Sequence, residues 1–87
     1  MDGRQLVLND GTTIPDGGAG YSDGSLWLWF TGFTLQQAAS LFFDASKTQV
    51  IRFDYGEMSE TYEGFTTCVS LSVDRDNNIS VCMEKGV

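Results

Sequence analysis

From Phe65 to Asp74 the chain alternates strictly, with Phe65, Thr67, Val69, Leu71 and Val73 set against Thr66, Cys68, Ser70, Ser72 and Asp74. A period of two sustained this long marks a strand with one buried face, because successive side chains leave a strand on opposite sides. The pattern resumes as Ile79, Val81 and Met83, with Ser80, Cys82 and Glu84 opposite. Between the two runs lies Asp74-Arg75-Asp76-Asn77-Asn78. Both apolar sets share one face if the loop covers 75–77 and one Asn takes the left-handed conformation. Such a hairpin places Cys68 and Cys82 on its outer face as cross-strand neighbours.

The remaining elements follow from weaker signals. Gln5 to Leu8 reads as a short strand, Asn9-Asp10-Gly11 as a tight turn, and Thr12 to Ile14 as the returning strand, stopped by Pro15. Residues 16–24 hold four of the ten glycines and read as a loop. Ser25 to Phe30 is the most apolar stretch. A strand there puts Leu26, Leu28 and Phe30 on one face and Trp27 and Trp29 on the other. Either both faces are covered, or one is offered to a partner. Thr34-x-x-Gln37 fits a capping box, and Leu35, Ala38, Ala39 and Phe42 follow at helical spacing, so a helix is predicted over about 34–45. Thr48 to Tyr55 reads as a strand, and 56–64 as a polar connection. The sum is an α+β domain in the order β-β-β-α-β-β-β. It has one antiparallel sheet of five or six short strands and a single helix packed on one face.

Composition narrows the function. Eighty-seven residues and 9.6 kDa suit one domain, 1–87. A folded chain of this mass exposes roughly 5,100 Å² and buries roughly 63% of its unfolded surface. Twelve acids against five bases give a net charge of −7. That excludes a conventional nucleic-acid binder, which needs cations for the phosphates, and disfavours an anionic membrane as partner. Histidine is absent. The usual general base at neutral pH is therefore missing, as are Ser-His-Asp and Cys-His catalytic sets and Cys/His zinc sites. No phosphate-binding loop precedes Lys47 or Lys85. Asp74-x-Asp76-x-Asn78 begins like a calcium loop, but Ile79 stands where Gly is needed and Lys85 where a bidentate Glu is needed. An enzyme, a cofactor and a metal are accordingly not expected. The N-terminal run MDGRQLVLND lacks signal-peptide character, so the expected compartment is the cytoplasm and the expected state of both cysteines is reduced.

Asp54 to Glu63 carries four acids, two tyrosines, a methionine and no base. One view makes it a solvated loop that keeps the protein soluble. The other makes Asp54, Tyr55, Glu57, Glu60, Tyr62 and Glu63 a contact patch for a protein with a basic groove. Tyr and Met favour interface cores, and carboxylates spaced several ångströms apart imitate phosphates. The alternative interface is the face bearing Trp27 and Trp29.

The run Phe53-Asp54-Tyr55-Gly56, followed by Thr61-Tyr62-Glu63-Gly64-Phe65-Thr66, resembles small proteins of phages and prophages of Gram-positive bacteria. The class includes anti-CRISPR proteins, and the resemblance covers about a third of the chain. It implies a non-enzymatic binding protein in the cytoplasm of a bacterial host. Such a protein would inhibit a defence nuclease, a CRISPR effector, by occupying its nucleic-acid channel as a DNA mimic without binding nucleic acid itself. The alternative it implies is a small phage structural or assembly protein that self-associates, with a homodimer as its simplest form.

Overall fold

The computed structural model describes residues 3–86. Strands β1 (Gln5–Val7), β2 (Thr13–Pro15), β3 (Gly18–Ser22) and β4 (Ser25–Phe30) come first. Helices α1 (Leu35–Phe42) and α2 (Ala45–Thr48) follow, then β5 (Val50–Tyr55), β6 (Met58–Glu63), β7 (Thr67–Val73) and β8 (Ile79–Glu84). The strands form two antiparallel four-stranded sheets, ordered β2-β1-β5-β6 and β3-β4-β8-β7.

This overturns the single sheet with one helix in the order β-β-β-α-β-β-β. Half of the described residues are in strands and 14% in helices, so they are mostly β, with two sheets and two short helices. Two strands account for the difference. β3 lies in the glycine-rich stretch expected to be a loop. It closes onto β4 through Asp23-Gly24, whose φ values of 53° and 81° match a two-residue turn with both central residues left-handed. β6 lies in the stretch expected to be a polar connection and pairs with β5 from Tyr55↔Met58 to Val50↔Glu63. Its alternate positions are Met58, Glu60 and Tyr62 against Ser59, Thr61 and Glu63, a sequence with no apolar period to read.

The expected helix over 34–45 is likewise divided. Its start is as read: the Thr34 hydroxyl accepts from the Gln37 amide at 3.0 Å and the Gln37 side chain accepts from the Thr34 amide at 2.9 Å. α1 ends at Phe42, because Asp44 caps a new turn by accepting from the Ser46 amide and hydroxyl.

One face of each sheet feeds a shared core. Leu6, Ile14 and Ile51 come from the first sheet; Leu26, Leu28, Phe30, Ile79, Val81 and Met83 come from the second. α1 adds Ala38 and Phe42 and packs along β7 and β8. The β7–β8 hairpin turns where expected: Asn77 is left-handed at φ 63°, and the Asp74 amide donates to the Asn78 carbonyl. The placement of the cysteines differs from expectation. A bulge between Cys68 and Ser70 shifts the register, so Cys68 pairs with Met83 on the core side while Cys82 pairs with Ser70 on the outer side. The extra residue, Val69, is half-exposed. Both thiols are free.

Candidate functional site

The acidic stretch is a hairpin, and its register divides the candidate residues. Phe53 pairs with Glu60, Ile51 with Tyr62 and Tyr55 with Met58, so Tyr55, Glu60 and Tyr62 share the face that carries Ile51 into the core. Asp54 pairs with Ser59 and Val50 with Glu63, which places Asp54 and Glu63 on the opposite face. Glu57 lies in the two-residue turn. The carboxylates therefore form no single row.

Two of these acids are also engaged. Asp54 accepts from Arg52 Nε at 2.9 Å, from Arg52 Nη2 at 3.1 Å and from Gln5 Nε2 at 3.1 Å. The guanidinium first, and the amide second, hold its carboxyl below the ordinary aspartate range. Glu60 accepts from the Tyr62 hydroxyl. Burial, then that bond and the adjacent carboxylate, push the Tyr62 phenol well above its ordinary value. Tyr55 is raised by the same causes, burial first. The Gln5 contact ties β1 to β5, while the Arg52–Asp54 and Tyr62–Glu60 contacts stay within β5 and within β6. Glu57 and Glu63 form no ion pair among the described residues.

The outer face of the second sheet is different. Antiparallel register lines its residues up in rows across four strands. One row reads Gly18, Trp29, Ser80, Ser72, and the next reads Gly20, Trp27, Cys82, Ser70. A third, Ser22, Ser25, Glu84 and Thr67, contains the one charge that the pairing places on this face. Trp27 and Trp29 are 44% and 45% exposed, although the leucines alternating with them are fully buried. β4 thus has one covered face and one open face. The Trp29 indole lies across β3: a Cβ built on Gly18 would come within 2.3 Å of its Nε1, and one on Gly20 within 3.5 Å of its ring. Glycine at position 18 makes room for the ring, whereas a Cβ at position 20 would meet it at ordinary contact distance; the close approach of the ring accounts for the glycine in this strand. The face is consequently raised over β3 and β4, where the Trp29 indole covers glycine, and low where β8 and β7 carry Ser80, Ser72 and Ser70; Cys82 on this face is buried.

A second apolar feature adjoins this sheet. Leu35, Ala39 and Phe43 lie one helical row beside the buried Ala38 and Phe42. With Cys68, Val69, Ser70 and Leu71 they line a groove of about 360 Å³ between α1 and β7.

Asp74, first residue of the calcium-like motif, spends its oxygens on the turn. Oδ1 accepts from the Asp76 and Asn78 amides and Oδ2 from the Asn78 side chain. No cluster of three or more Cys, Asp or Glu placed to hold a metal occurs among the described residues. The serines of the outer face have no histidine anywhere in the chain to activate them. What this face offers is stacking, apolar contact and hydroxyl hydrogen bonding.

Sequence reasoning found Trp27 and Trp29 but not the glycine seat beneath Trp29 or the low Ser70, Ser72 and Ser80 side. The Asp23-Gly24 dipeptide was the available signal for β3. No helix among the described residues is long and apolar enough to cross a membrane. Compared with protein-family models, curated proteins and solved structures, the chain matches none.

Proposed function

We propose that this chain is a small non-enzymatic assembly protein of phage type that associates with copies of itself through the outer face of its second sheet. One observation carries this: two half-exposed tryptophans stand on a sheet face with a single charge, in a chain of net charge −7. Aromatic side chains on such a patch are the usual anchors of protein interfaces. Like-charged copies repel least where charge is sparse. The resemblance to small phage proteins supports a phage setting and the cytoplasm of a bacterial host. Multi-angle light scattering tests the function. The wild type should rise from 9.6 kDa toward twice that mass with concentration. Trp27→Gln should weaken association about thirtyfold, the equivalent of the ~2 kcal/mol of an interface anchor. A wild type of monomer mass at all concentrations up to about 200 µM, roughly 200- to 2,000-fold above a ~0.1–1 µM dimer Kd, excludes it.

A second function, inhibition of a CRISPR nuclease through a basic groove, is favoured by Glu57 and Glu63 at the β5–β6 hairpin, which form no ion pair among the described residues. It requires binding to such a nuclease that weakens as salt rises and is lost on Glu57→Lys with Glu63→Lys. Binding indifferent to both removes it.

A further inference from the structure

Resting on the self-association just proposed, we infer that the interface is isologous and interlocking. The raised indole side of one copy seats on the low serine side of the other, across a two-fold axis that lies in the interface, parallel to the strands of the second sheet. In an isologous contact, residue i of one copy meets residue j of its partner while j meets i. A surface can do this without gaps only if each rise has a matching trough on the same surface.

The outer face has that relief. In the Gly18-Trp29-Ser80-Ser72 row the bulk sits on β4 and leans over β3, while β8 and β7 carry only hydroxymethyl groups. The Gly20-Trp27-Cys82-Ser70 row repeats the order of large and small residues, with the Trp27 ring clear of Gly20 and Cys82 buried beside it. Adjacent strands lie about 4.8 Å apart, so rise and trough are about 10 Å from centre to centre. A rotation of 180° about an in-plane axis parallel to the strands and midway between them sets the rise of each copy on the trough of the other. An in-plane axis running across the strands would instead set indole against indole and leave the serine side empty.

Charge and area point to the same occupant. Apart from Glu84, the paired rows carry no charge, so this is where a second copy of a −7 chain meets least repulsion. A basic partner would find little here to complement. A stable dimer takes about 800 Å² from each partner, roughly 15% of the 5265 Å² this domain exposes. The domain measures 37 × 29 × 26 Å, and one broad face of a two-sheet molecule of that size supplies such an area.

The test fills the trough and leaves the tryptophans in place. Ser70 and Ser72 are exposed on an outer face, and Tyr is a good strand former, so Ser70→Tyr and Ser72→Tyr should fold. Unchanged thermal melting of each variant at low concentration confirms it. In sedimentation velocity the wild type should dimerise, and each Tyr variant should raise the dimer Kd at least tenfold. Indole emission should move to the red as the wild type is diluted. A wild-type dimer weakened by Trp27→Gln but untouched by both Tyr substitutions overturns the interlocking geometry and leaves self-association standing. A monomeric wild type overturns both. A monomer whose indole emission responds to a soluble oligosaccharide, or to an apolar peptide, assigns the face to that occupant and overturns the second copy.

Discussion

At the scale of single residues, the outer face depends on what is missing from Gly18. A methyl group there would stand 2.3 Å from Trp29 Nε1. Gly18→Ala must therefore lift the indole or shift β3, and overpacking of this kind costs about 1–3 kcal/mol. Urea denaturation followed by tryptophan emission should show the lower midpoint together with a more exposed indole. Equal stability would mean that the ring does not rest on this glycine. The helix cap is a second such residue. Thr34→Ala removes the acceptor of the Gln37 amide and should cost about 0.5–2 kcal/mol. An unchanged midpoint at unchanged m-value would move the start of α1. Acid titration is the third case. Arg52 and Gln5 lower the folded-state pKa of Asp54, and the Asn78 amide and side chain, with the Asp76 amide, lower that of Asp74. A carboxyl depressed by folding stabilises fully above its unfolded pKa, about 3.9. That contribution is lost as pH falls through the folded value. Stability should thus drop below about pH 4, and Asp74→Asn should flatten the drop. A pH-independent midpoint between pH 5 and 2 would contradict both assignments.

Among the elements, those with a periodic apolar face were legible and those without one were not. β8 and the regular part of β7 announce themselves by alternation, and α1 by its capping box. β3 was hidden because its strand character comes from Trp29 on a neighbouring strand, not from its own side chains. β6 was hidden because its core-side positions include Glu60, whose partner is Tyr62, and not a run of aliphatic residues. The bulge at Val69 was equally invisible, since an uninterrupted alternation from Phe65 predicts Cys68 outside and Val69 inside. Bulge and pairing together give an element-scale test. Deleting Val69 should leave Cys68, Leu71 and Val73 facing the core, because two residues now oppose one there. Deleting Ser72 instead sends Val73 to the outer face, since a one-residue slip exchanges the faces. Cooperative unfolding should survive the first deletion at a higher denaturant midpoint than the second. The reverse order would refute the register.

On the scale of the whole molecule, strand order could not be read from the sequence at all. β1 pairs with β5 and β4 with β8, contacts that span about half the chain and leave no local mark. The same long-range pairing decides the candidate site. Cross-strand register splits the six acidic-patch residues between two faces and a turn, and it gathers Trp27, Trp29, Ser70, Ser72 and Ser80 onto one face from three separate segments. The tryptophans were legible as an open alternative; their low, uncharged surroundings were not. Net charge then gives the sharpest discrimination between the two surfaces. Copies carrying −7 each repel at long range, and salt screens that repulsion, shrinking the Debye length from about 10 Å at 0.1 M to about 3 Å at 1 M. The decisive measurement is the dimer Kd of the wild type by sedimentation equilibrium across that salt range. Association through the uncharged tryptophan face should tighten as salt rises; association that weakens with salt, or a chain that stays monomeric throughout, would contradict it.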